Sequence, residues 1–92
     1  MKYLVKFTSQ FKKDIKKAKR QNKNIELLFS VIERLANGEV LDDKYRVHKL
    51  VGNLNGIMEC HIEPDWILEY EYVDKKLLLI CYRVGSHSDL LN

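Results

Sequence analysis

The sequence predicts an α+β domain of two layers: a mainly antiparallel sheet with a helical hairpin on one face. The element order is β-α-α-β-β-β, with one further short strand ahead of the last three. Three observations predict it. Apolar and polar residues alternate in three late segments that are separated by tight-turn residues. Two earlier segments carry apolar residues at helical spacing. A chain of 92 residues has room for one domain and one two-layer core.

Lys2–Phe7 alternates, with Tyr3, Val5 and Phe7 on one side, and reads as the first strand. Thr8 or Ser9 can cap the helix that follows. Its narrow stripe is Phe11, Ile15 and Ala18, and its other positions are mostly Lys. Gln21-Asn22-Lys23-Asn24 breaks this pattern, and Asn24 can cap a second helix with Leu28, Val31, Ile32 and Leu35 on one face. Asn37-Gly38 ends that helix, glycine being free to take the left-handed conformation. Residues 39–55 are polar, with a short strand expected at Arg46–Val51, and Gly52-Asn53 and Asn55-Gly56 are turn signals. Ile57–Glu63 alternates, with Met58, Cys60 and Ile62 opposite Glu59, His61 and Glu63. Pro64-Asp65 suits a two-residue turn. Trp66–Val73 alternates again, with Trp66, Leu68, Tyr70 and Tyr72 opposite Glu69 and Glu71. After Asp74-Lys75-Lys76, Leu77–Val84 is the most apolar strand and is expected to be central, with Gly85 breaking it. Ser86-His87-Ser88-Asp89 has capping-box form and starts a single C-terminal helical turn.

Charge is unevenly placed. Residues 1–23 hold nine Lys/Arg against one acid, Asp14, a local charge of +8. Residues 24–92 hold seven against twelve, a charge of −5, which leaves +3 for the chain. A basic end on a nearly neutral chain is the footprint of a polyanion partner. The longest apolar run is the six residues Leu77–Tyr82, too short to span a membrane. The N-terminus turns polar at once, so no signal peptide is expected and the chain reads as cytoplasmic. Cys60 and Cys81 suit small core residues in a reducing compartment; a disulfide would need their strands to pair.

All three histidines, His48, His61 and His87, lie in the second half. With sequential hairpins, His61, Asp65, Arg83 and His87 converge on one end of the face left open by the helices. That set suits phosphodiester cleavage in RNA, which needs one group to take a proton from a 2′-hydroxyl and another to give one to the leaving oxygen. It also needs a cation for the charge that grows on phosphate, and Arg83 offers a planar fork of donors. Trp66 could stack a base, although an alternating position reads first as core. His48 alone reads first as a surface residue, and the basic helix as either a solvated face or a docking surface. His61, Asp65 and His87 could also give a metal two His and a carboxylate. No Cys-x-x-Cys or His-x-x-x-His spacing supports that, so metal-free acid–base chemistry is preferred and no cofactor is expected.

Taken together, Lys44-Tyr45-Arg46-Val47-His48-Lys49-Leu50, Glu59-Cys60-His61-Ile62-Glu63-Pro64-Asp65-Trp66 and Arg83-Val84-Gly85-Ser86-His87-Ser88-Asp89-Leu90 resemble the YafQ branch of the RelE/ParE toxin superfamily. The likeness extends to the basic helix opened by Phe7-Thr8-Ser9-Gln10-Phe11-Lys12-Lys13-Asp14. The resemblance implies a RelE-like fold and a type II toxin that cleaves mRNA in the ribosomal A site without a metal. It implies a DinJ-like ribbon-helix-helix antitoxin as partner, with operator DNA bound only through that antitoxin. Matching positions are His48, His61, Asp65, Arg83 and His87 as catalytic, and Trp66, Arg46 and Leu91 as substrate-binding. Lys12, Lys13, Lys16, Lys17, Lys19 and Arg20 would then dock on ribosomal RNA. His87 and Asp65 would be the proton-transfer pair, with base and acid unassigned. Two positions depart from the pattern: Leu91 stands where relatives often carry an aromatic residue, and Glu71 where they often carry a base. Alternatives on the same scaffold are a ParE-like gyrase inhibitor and a non-catalytic RNA-binding relative.

Overall fold

The computed structural model describes residues 2–50, 52 and 56–91. Five strands form one sheet: β1 (Leu4–Phe7), β2 (His48–Lys49), β3 (Met58–Glu63), β4 (Trp66–Val73) and β5 (Leu78–Gly85). The described residues also form three α-helices: α1 (Ser9–Arg20) and α2 (Ile25–Ala36) between β1 and β2, and α3 (His87–Leu90) after β5. The sheet order is β1-β5-β4-β3-β2. All neighbours are antiparallel except β1 and β5, which run parallel, with Leu4 beside Leu78 and Phe7 beside Cys81. Placing β1 beside β5 leaves β4, not β5, in the middle. Trp66, Ile67, Leu68 and Tyr70 of β4 are accordingly all buried.

The helices start where their caps require. Thr8 accepts from the Phe11 N–H, Asn24 from the Leu27 N–H, and Ser86 and Asp89 complete a reciprocal capping box on α3. Phe11 and Ala18 of α1 and Leu28, Val31, Ile32 and Leu35 of α2 pack on one sheet face, made by Cys60, Ile62, Trp66, Leu68, Tyr70, Leu79, Cys81 and Val84. That is the expected pair of layers. Among the described residues no helix is long and apolar enough to cross a membrane.

Local boundaries differ from expectation for physical reasons. The strand expected at Arg46–Val51 is only His48–Lys49, because Arg46 takes a left-handed conformation (φ 50°) after a 3-10 turn at Asp43–Tyr45. Val51, Asn53 and Asn55 lie outside the described residues. Leu77 is also left-handed (φ 51°), so β5 begins at Leu78. Gly85 closes β5 rather than breaking it. A Cβ there would sit 3.0 Å from the Asp89 Cβ, so glycine lets α3 fold tightly against the strand end. The two cysteines are buried and free; β4 lies between their strands, so the pairing that a disulfide would require is missing.

Two devices shape β5. β1 covers it only as far as Cys81, and α1 covers the rest of that edge. Thr8 donates its hydroxyl to the Tyr82 carbonyl, and Asp14 accepts from the Val84 N–H. The otherwise open edge is thus satisfied by side chains. The register with β4 slips between Glu69 and Tyr70, with Tyr82 as the extra residue. Strict alternation after Leu79 and Cys81 would have turned Arg83 into the core. The bulge turns Val84 inward and puts Arg83 on the face opposite the helices.

Candidate active site

The face opposite the helices carries polar residues in register. His48 pairs with Glu59, Glu59 with Glu69, and Glu69 with Arg83, a row across four strands. The next row is His61, Ile67 and Gly85. Ile67 is fully buried and His61 is 5% exposed, so this end of the face is less open than alternation suggests. The 3-10 turn at Asp43–Tyr45 packs beside β3, and α3 beside β5.

The three imidazoles form a line. The His48 and His61 rings lie 6.2 Å apart between centroids, and the His61 and His87 rings 5.5 Å apart. Each has a distinct setting. His87 Nδ1 contacts Asp65 Oδ1 at 2.8 Å, and the His87 backbone N–H donates to the same oxygen at 3.0 Å. These two hydrogen bonds hold the Asp65 carboxyl below its ordinary value. A carboxylate there accepts from Nδ1–H and leaves Nε2 as the ring atom free to exchange a proton. His61 Nδ1 faces the Pro64 carbonyl at 3.1 Å, which likewise reserves its Nε2. His48 meets an acceptor at each nitrogen: the Arg46 carbonyl at Nδ1 and Glu59 Oε1, 2.9 Å away, at Nε2.

Of the residues expected to converge, His61, Asp65 and His87 do so, and His48 joins them. Arg83 stands apart: its guanidinium is held by Asp14 of α1, with Nε 2.9 Å from Oδ2 and Nη2 3.2 Å from Oδ1. Arg46 shares a cleft of about 350 Å³ with His61, Lys44, Glu63 and Pro64. Trp66 does not offer a ring to a base; it is 2% exposed and belongs to the core on the helix side. Leu91 ends α3 and is 86% exposed. Glu71 accepts a 2.6 Å hydrogen bond from the Tyr82 hydroxyl, whose pKa is pushed up to about 12 mainly by that bond. Lys12, Lys13, Lys16, Lys17, Lys19 and Arg20 are all exposed along α1. Lys17 also reaches across to Asp89 of α3 at 2.9 Å. Among the described residues, no three His, Cys, Asp or Glu side chains are grouped to hold a metal ion.

Glu59 and Asp14 join the site without being expected in it. Glu59 shares a face with His61 by simple alternation, and that signal was legible. Asp14 is the one acid in the basic segment, but its pairing with Arg83, 69 residues away, has no local signature. Glu69 sits between Glu59 and Arg83; burial raises its carboxyl pKa, Glu59 adds to the rise, and Arg83 opposes it.

Known proteins resemble this chain over nearly its whole length. The family model described as "Bacterial toxin of type II toxin-antitoxin system, YafQ" matches residues 3–92. The mRNA interferase toxin YafQ of Escherichia coli K12 is 36% identical over 87 residues, 94% of this chain and 92% of that protein. The crystal structure of the E. coli DinJ–YafQ complex superposes with a TM-score of 0.89 at 33% identity, over 98% of this chain and 99% of that one. A metal-bound toxin from Helicobacter pylori superposes with a TM-score of 0.92 at 34% identity, over 96% and 98% of the two chains. The chain therefore belongs to the YafQ family of bacterial toxins of type II toxin–antitoxin systems.

Proposed function

We propose that the chain is an mRNA interferase: an endoribonuclease that acts on ribosome-bound mRNA in the A site and arrests translation. The observation that carries the reading is the Asp65–His87 contact beside His61. It supplies two imidazole Nε2 atoms at neighbouring positions, with one ring oriented by a carboxylate. In the reaction one imidazole takes the proton of the 2′-hydroxyl. The 2′-oxygen bonds to phosphorus, the bond from phosphorus to the 5′-oxygen breaks, and a second group protonates that leaving oxygen. Asp65, held as a carboxylate, orients His87 rather than donating the proton itself. His48, in line with His61, borders the scissile phosphate, and Arg83, held apart by Asp14, meets a phosphate of the bound RNA with its guanidinium. No cofactor or metal enters this scheme.

The basic face of α1 docks on ribosomal RNA through phosphate contacts, which position without reading sequence. Silencing falls to a DinJ-like ribbon-helix-helix antitoxin, through which alone operator DNA is met; the E. coli YafQ forms a complex with DinJ. Induction of the chain without a partner should stop growth and leave new mRNA 5′ ends at A-site positions in primer extension. His87→Ala should abolish both while the chain stays folded by circular dichroism. Translational arrest with intact mRNA, or full toxicity of His87→Ala, overturns the reading.

A further inference from the structure

Asp14 is the only acid among the first 23 residues, on a helix whose other charges are all positive. It is 8% exposed. Both of its oxygens are fully used. Oδ2 accepts from Arg83 Nε at 2.9 Å and from the Val84 N–H at 3.1 Å. Oδ1 accepts from Arg83 Nη2 at 3.2 Å and from Gln10 Nε2 at 3.1 Å. A guanidinium has two forked edges. Here the Nε/Nη2 edge is occupied by Asp14, which leaves Nη1 and the second N–H of Nη2 outside that pair. That outer edge still fits two phosphate oxygens at once. Arg83 lines a cleft of about 420 Å³ together with Gln10, Lys13, Asp14, Lys17, Arg20 and Asp89.

We propose that Asp14 is a positioning residue that acts through Arg83, presenting the outer guanidinium edge to a phosphate of bound RNA. The inference rests on the ribonuclease reading above. An arginine at a strand end would otherwise give up rotamer freedom when the phosphate arrives. Asp14 makes that sacrifice during folding, so the fork is aimed before substrate binds. A negative charge so close to Arg83 weakens any long-range pull on RNA. Its benefit therefore lies in geometry, and it should appear in turnover rather than in binding.

The test separates the two. Asp14→Asn keeps the side chain's size and an oxygen for the Val84 N–H, but it loses the charge that clamps the guanidinium. Single-turnover cleavage of ribosome-bound mRNA should slow by about 10²-fold, the usual cost of a small misplacement. Ribosome affinity should stay level or rise. Arg83→Lys serves should Asp14→Asn fail to fold: a lysine paired with Asp14 has no second edge, so it should cleave no faster than Arg83→Ala. An unchanged rate in Asp14→Asn, a loss that tracks ribosome affinity, or a fast Arg83→Lys overturns the positioning role. When His87→Ala is inactive in the same assay, such a result sinks this inference alone. A wild-type chain that leaves mRNA intact sinks it together with the reading it rests on.

Discussion

At the residue scale the sharpest contrast is among the three histidines, which share a line but not an environment. His61 is buried against the Pro64 carbonyl, His87 is exposed on Asp65, and His48 is exposed on Glu59. The Asp65 link makes a pH prediction with a definite sign. A carboxyl whose folded pKa is lowered stabilises the fold above its ordinary range, near pH 4, and loses that contribution as pH falls through the lowered value. The melting temperature of the wild type should therefore exceed that of Asp65→Asn at pH 7. The gap should close as pH falls through that lowered value and the Asp65 carboxyl becomes neutral. A gap of equal size on both sides of that value would show that Asp65 acts by something other than its charge. Cys60 and Cys81 offer a second check. Burial pushes both thiols up to about 12, so neither has appreciable thiolate at neutral pH or access to reagent. Labelling by a thiol reagent should follow the rate of unfolding. Fast labelling of the native chain would contradict their place in the core.

At the element scale, α3 is only four residues long, too short to persist alone. Its capping box, the His87 N–H bond to Asp65 and the Lys17–Asp89 pair hold it in place. Its close approach to β5 depends on Gly85, the last strand residue. Gly85→Ala should cost about 1–3 kcal/mol by overpacking against Asp89. Because α3 carries His87, the same change should slow cleavage more than it weakens ribosome binding. Chemical denaturation together with a cleavage assay checks both halves. A variant with wild-type stability and rate would mean that α3 yields freely. The bulge at Tyr82 matters at the same scale, since it places both Arg83 and Val84 on their proper faces.

Across the whole molecule, the opening charge split gains a structural meaning. The +8 segment folds mainly into α1, which packs on the β5 edge and reaches the C-terminal segment through Asp14–Arg83 and Lys17–Asp89. A docking test should therefore spare Lys17, because reversing it would also disturb α3. Reversal of Lys12, Lys13, Lys16 and Arg20 to Glu should sharply weaken ribosome binding and flatten its salt dependence. The spacing of the His48, His61 and His87 rings should be preserved, as their NMR shifts would report. An unchanged salt slope would leave α1 as a solvated face.

Much of this was legible in the sequence. Hydrophobic period marks both long helices and the last three strands, because a half-buried face repeats at 3.6 or 2 residues whatever it packs against. Thr8, Asn24 and Ser86 mark helix starts, since their side chains answer N–H groups only two or three residues away. Sequential hairpins were enough to bring His61, Asp65 and His87 to one end of the sheet. The tertiary structure alone decided the parallel pairing of β1 with β5, the central place of β4, the bulge that turns Arg83 outward, and the capture of Arg83 by Asp14. Each of these joins groups far apart in the chain or slips a register by one residue. Local pattern carries no energy term for such choices; only the packing of the assembled layers distinguishes them.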